Sequence, residues 1–355
     1  MKKEKGIGLV AFIIIFVAIL IIGAVAVVLV MTNDKDEDKS DKKESGTKIE
    51  TSNKKGEEDT NGVQDFLGDI SEQGQQNSQA SIGNYKTAKE QDFAFEDVEG
   101  GVKITSYTGD VEALQVPSTL GGKNVVEIGT GAFSVTAIKG IKLPDTVKTI
   151  SDKAFYYCTL LVEATLGNGT QTIGEECFEG CMALTTINLN EGLTKLGSMS
   201  FGMCTSLKEI KFPKTLKEIN GGAFVMSGLQ KVTIPGNVEL IGDGAFTSCS
   251  SLKEVVISEG VKTIKREAFA YCPITSIVIP NTVTELDSKV FFDCSELASV
   301  NIPNSVKTIG HAAFQNIANG ATIYVQDEET KAILEEGIKY IREECSVVVD
   351  ATKFN

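Results

Sequence analysis

The run Val238-Glu239-Leu240-Ile241-Gly242-Asp243-Gly244-Ala245-Phe246-Thr247-Ser248-Cys249-Ser250-Ser251-Leu252-Lys253-Glu254-Val255-Val256-Ile257 holds two periodicities side by side. Val255 and Ile257 flank Val256 in the alternation of a β-strand. The Gly-x-x-Ala-Phe part is too short for a regular helix and suits a helical turn. Neither piece can bury its own apolar residues. A partner of the same shape is therefore needed on each side.

The chain supplies those partners. Phenylalanine recurs at Phe133, Phe155, Phe178, Phe201, Phe224, Phe246, Phe269, Phe291 and Phe314, always 22 or 23 residues apart. Five residues before each stands Ile or Leu, from Ile128 to Ile309, and the residue directly before is mostly small. Many strands end in Pro, as at Pro117, Pro144, Pro213, Pro235, Pro280 and Pro303. Proline has no amide hydrogen, so it closes a strand and opens a corner. A fixed period of this length predicts stacked coils that share one continuous core.

These columns resemble the BspA-like class of leucine-rich repeat over about residues 93–326, in nine coils. The resemblance implies a right-handed solenoid, mainly parallel β, with a parallel sheet on its concave face. It also implies surface display and adhesive or protein-binding roles, without fixing a ligand. Residues 123–326 are read as the solenoid proper. Residues 90–122 are read as an N-terminal cap, with a hairpin over Phe93–Val116 turning at Gly100-Gly101. Residues 327–355 are read as a C-terminal cap, with a helix over Glu328–Arg342 and a strand at Ser346–Val349.

Outside the repeat the chain changes character. Residues 1–6 form a short head carrying +2, from Lys2, Lys3 and Lys5 against Glu4, so the rest of this −14 chain carries −16. Ile7 to Met31 holds no charged residue. As a helix this stretch is roughly 37 Å long, enough to cross a hydrocarbon core of about 30 Å with some tilt. Lysines before it and Asp34, Asp36, Glu37 and Asp38 after it predict a single pass through the plasma membrane. The N-terminus is then cytoplasmic and the repeats are extracellular. Two rival readings stay open. One is a cleaved secretory signal ending near Ala24-Val25-Ala26. The other is a pilin-like envelope subunit cut after Gly6, because Lys5-Gly6-Ile7 resembles a prepilin leader, although Ala11 stands where that family usually has Glu. Residues 32–88 are polar and without hydrophobic period, hence a disordered tether of roughly 40 Å r.m.s. span.

Chemistry is scarce. Six of the eight cysteines sit three residues after the repeat Phe, and Cys177 sits directly before Phe178. The repeat accounts for them as buried packing residues, with neither disulfide nor metal. His311 is the only histidine and occupies a polar, variable column. That leaves little material for Ser-His or Cys-His catalysis. No phosphate-binding loop or dinucleotide fingerprint is present. The expectation is no catalytic residue, no cofactor and no metal site. The acidic balance opposes nucleic acid as a partner. The expected partner is a protein or a surface glycan. It would meet the outward row of the concave sheet, which function is free to choose: Lys142, Thr165, Asn188, Lys211, Thr233, Val256, Val278, Asn301 and Tyr324.

Overall fold

The computed structural model describes residues 82, 84–337 and 344–354. The apolar run at 7–31 and most of the 32–88 segment lie outside the described residues. Among the described residues no helix is long and apolar enough to cross a membrane.

Each coil contributes three stretches of backbone, and each stretch bonds to its counterparts on the neighbouring coils. The longer strands form the first stack: Ala113–Gln115, Gly140–Lys142, Glu163–Thr165 and Thr186–Asn188, then Lys231–Ile234 with Glu254–Ile257, then Ser276–Val278, Ser299–Ile302 and Thr322–Val325. All pair in parallel, with the repeat columns in register, as in Val232↔Val255 and Val300↔Ile323. The stack opens in two places. No strand forms around Lys208–Phe212, where Phe212 replaces the Leu, Ile or Val of other coils and packs edge-on against Phe224 at 5.7 Å. A second gap separates Glu254–Ile257 from Ser276–Val278.

The repeat Ile or Leu closes a second parallel stack of two-residue strands, such as Thr149–Ile150, Thr172–Ile173 and Lys195–Leu196. Two residues are too few for alternation to show in a sequence, and this sheet was not foreseen.

The third stretch corrects the expectation of a helical turn. Around each Phe the chain makes successive tight turns, not helix. The cause is local. Residues two before and two after every repeat Phe have positive φ; among the described residues these are fourteen non-glycines and the glycines 131, 180, 222 and 244. A left-handed residue reverses the winding before a helical turn can propagate. It also turns alternate amides outward, toward the next coil. Glu176, Phe178 and Gly180 donate to the carbonyls of Ser198, Ser200 and Gly202 at 2.9, 2.8 and 2.9 Å, and the pattern repeats up the stack. The neighbouring coil thus satisfies donors that a lone turn would leave to water.

The nine phenylalanines are fully buried and form one ring stack, with centroids 4.9–5.6 Å apart. The cap extends it with tilted rings: Tyr107 packs on Phe133 at 5.3 Å and Phe93 on Tyr107 at 5.2 Å. The Tyr107 amide donates to the Ala132 carbonyl, as a repeat Phe would. The cap hairpin is Phe93–Val98 with Gly101–Tyr107, shorter than the expected Phe93–Val116, because Ala113–Gln115 already belongs to the long-strand sheet. Lys86–Thr87 pairs with that same strand, so the solenoid begins inside the segment read as tether. At the other end the helix Glu328–Gly337 buries Leu334, and Ser346–Val349 pairs in parallel with Thr322–Val325.

The repeat cysteines do more than fill space. Sγ of Cys158, Cys181, Cys204, Cys249, Cys272 and Cys294 donates to the carbonyl of the preceding coil's Phe, at 2.9–3.3 Å. Where the column carries Thr136 or Ser227, the hydroxyl lies against the next thiol, at 3.4 and 3.3 Å. Eight of the nine coils thus carry a small side chain with a polar hydrogen in this column, and the last carries Ile317. Burial pushes the Cys177, Cys181 and Cys294 thiols up, the last to about 12, which suppresses the reactive thiolate. Thiol titration in denaturant without reductant should recover close to eight free thiols; two or fewer would show that the column is oxidised.

Candidate functional site

Side chains alternate across a strand, so the long-strand sheet has an inner face made mainly of Ile, Val and Leu and an outer face of free composition. The outer row is the sequence-predicted one. It is not uniformly open, because the chain covers both of its ends.

At the N-terminal end, Ile82 and Tyr85 lie across the sheet. A Cβ on Gly140 would meet the Tyr85 hydroxyl at 2.6 Å and Ile82 at 2.9 Å, so a glycine there makes room for the segment. Lys142 is not free, since its Nζ sits 4.0 Å from the centroid of the Tyr85 ring. Burial, and after it the charge of Glu163, pushes the Tyr85 phenol up to about 12. Thr165 is half-buried.

At the C-terminal end, the single turn Ala351–Phe354 folds back over the sheet. Asn301 Nδ2 donates to the Lys353 carbonyl at 3.2 Å, and Lys353 Nζ stands 4.9 Å from the centroid of the Tyr324 ring. Asn301 and Tyr324 were expected to be exposed, and both are half-buried. No periodicity could signal this, because Tyr85 and Lys353 belong to no repeat column.

Between these covers the face is open. Asn188, Lys211 and Thr233 are exposed, and so are Thr186, Glu209, Lys231 and Glu254 in the parallel row. Glu209 and Lys231 pair at 3.3 Å with most of both side chains in water, a contact worth at most about 1 kcal/mol. Val256 and Val278 stand out on adjacent coils, 45% and 58% exposed. The open stretch spans roughly 25 Å, from about 4.8 Å per strand.

His311 is exposed in a turn. Among the described residues, no group of three or more His, Cys, Asp or Glu side chains is placed to hold a metal ion. Two surface hollows among the described residues lie beside the Gly100–Gly101 hairpin and along Thr149–Asp152.

A family profile described as a BspA type leucine rich repeat region, in 6 copies, matches residues 126–249 and 223–340. No curated protein matches the chain. Among solved structures, the chain is similar to a leucine-rich repeat protein from Bacteroides ovatus, with 26% identity over 70% of this chain and 71% of that one, at a TM-score of 0.50. It is also similar to a leucine rich cell surface protein from Faecalibacterium prausnitzii, with 24% identity over 69% of this chain and 77% of that one, at a TM-score of 0.43.

Proposed function

The chain belongs to the BspA-type leucine-rich-repeat family, and we propose that it is a surface-displayed recognition protein whose partner docks between Thr186 and Val278 on the long-strand sheet. The observation that carries this reading is the unequal covering of that sheet. Its ends are closed by the chain's own segments, and its middle is left bare with two exposed valines on adjacent coils. Exposed apolar side chains among polar ones are the usual core of a contact surface. The hydroxyl, amide and charged groups around them form a natural rim. The occupant is a protein rather than a glycan, because the open rows offer an apolar patch and no aromatic platform. Catalysis forms no part of the proposal.

Display rests on the sequence. The uncharged run 7–31, with lysines before it and acidic residues after it, supports a single membrane pass with the repeats outside. Adhesion is the role such an arrangement serves, with the polar tether giving the solenoid reach.

The test pairs affinity with stability. Changing Val256 and Val278 together to Asp in the full-length chain should weaken a protein partner at least tenfold. Each change removes part of the roughly 1.5 kcal/mol of a buried valine and desolvates a charge. Thermal stability should stay within a few degrees, since neither side chain reaches the core. Partner binding unchanged by the double substitution would overturn the assignment.

A further inference from the structure

Glu179 is the residue directly after Phe178, in a column that other coils fill with Ser134, Tyr156, Gly202, Val225, Thr247, Ala270, Phe292 and Gln315. Only here does the column hold a carboxylate. It is 7% exposed, and its Oε2 is buried without a hydrogen-bond partner. Such an atom is costly when charged and tolerable when protonated.

Three coils pack around it. Its own turn adds a second carboxylate, Glu176, which is also held by Lys153 at 3.2 Å. The preceding coil presents Lys153, Tyr156 and Tyr157, whose phenols are raised first by burial and then partly by the charge of Glu179. The following coil presents Gly202, whose added Cβ would lie 3.5 Å from Glu179 Cγ, together with Met203 and the buried Cys204 thiol. Tyr157 reaches across Gly180 to Met203, Oη to Sδ at 3.6 Å, and a Cβ on Gly180 would meet the Tyr157 ring at 2.8 Å. Lys153 is the only cation in this set, and it already serves Glu176.

We propose that Glu179 is a protonation switch: neutral, it seals three consecutive turns of the stack, and ionised, it loosens them. Burial, and after it the neighbouring charge of Glu176, pushes its carboxyl up to about 7, with Lys153 pulling the other way. The neutral form can share its proton with Glu176. On ionisation the proton leaves to water and two carboxylates face each other with one lysine between them. Turning the Glu179 side chain out to solvent relieves this, and it parts the Tyr157–Met203 contact. The amides that report the event are Tyr157 and Gly180, which donate to the Glu179 carbonyl at 2.7 Å and the Gly202 carbonyl at 2.9 Å.

The sign is fixed. The folded state holds this proton more tightly than an unfolded chain with an ordinary carboxyl near 4.5, so the stabilisation is fully present below that value. It is lost as pH rises to about 7 and does not fall further beyond. Thermal unfolding of the full-length chain should therefore drop by several degrees between about pH 5 and 8. Glu179→Gln should flatten the drop and melt higher than the parent at pH 8. Beyond the ordinary base-catalysed increase, Tyr157 and Gly180 amide exchange should rise about tenfold in the parent over the same range. Ser248, three coils away and bonded to Ala270 at 2.9 Å, should not follow. The Glu179 carboxyl carbon, read by NMR in the parent, should titrate near neutrality, which keeps the proposal testable even if the variant folds poorly. A midpoint in the usual carboxylate range, or the same melting slope in Glu179→Gln, would overturn it.

Discussion

Phe201→Ala should lower the unfolding free energy by roughly 3–5 kcal/mol, the range for deleting a fully buried phenylalanine. The ring is fully buried and stacks on Phe178 at 5.3 Å and on Phe224 at 5.4 Å. The backbone around it cannot close the gap. Amide bonds on both sides fix the coil spacing: Phe178 donates to Ser200 and Phe201 to Ala223, both at 2.8 Å. A cavity that cannot collapse keeps its full cost. A solenoid couples only nearest neighbours, so the loss also weakens communication between the coils on either side. Denaturant unfolding followed by two local probes, one near Phe133 and one near Phe314, should separate into two transitions where the parent shows one. Phe292→Ala is the contrast, because that ring is half-buried and meets Tyr271 edge-on outside the stack. It should cost clearly less. Equal losses for the two substitutions would refute the view that the stack is the core.

Gly260→Val should cost about 2–6 kcal/mol, from backbone strain of about 1–3 and overpacking of about 1–3. Gly260 has φ of +123°, and a Cβ there would run into the carbonyl oxygen of Gly236 on the preceding coil. The converse also holds, since a Cβ on Gly236 would strike the Glu259 carbonyl. Two coil corners thus touch backbone to backbone, and no side chain is present to move aside. Gly260 is held from above as well, its amide donating to Thr282 Oγ1 at 2.8 Å. Gly320→Val separates the two effects, because Gly320 has φ of +70° with nothing within 4 Å of its added Cβ. It should carry the strain alone, about 1–3 kcal/mol. Chemical denaturation of both variants checks this, and a Gly260→Val loss no larger than that of Gly320→Val would count against the corner contact.

What the sequence made legible follows from how each feature is held. The phenylalanine and isoleucine columns were readable because burial demands one side-chain type at every period. The outward positions of the long strands were readable for the same reason, since they alternate with buried ones. The left-handed residues were not. Positions occupied by Gly131, Lys153, Glu176 and Met199 share a conformation and no chemistry, because the requirement is met by main-chain bonds to the next coil. The closed ends of the long-strand sheet were equally hidden. Tyr85 and Lys353 act once each, and a residue used once leaves no period. Tyr107 escaped notice because 26 positions separate it from Phe133, longer than any gap inside the repeat. Glu179 stands in a column of mixed chemistry, and only its neighbours reveal the burial.

The three hydrogen-bonded ladders have a mechanical meaning. Their bonds run from coil to coil, along the direction in which coils accumulate. A tensile load applied between the two ends of the repeat bears on these bonds in series, so the weakest coil peels first and its neighbours stay intact. Each coil released adds 22–23 residues of slack, roughly 75 Å of contour at 3.3–3.6 Å per residue. A load applied across the sheet is instead shared by all three ladders at once. The fold is therefore compliant lengthwise and stiff sideways: it pays out line under a pull and holds the shape of its long-strand sheet under shear.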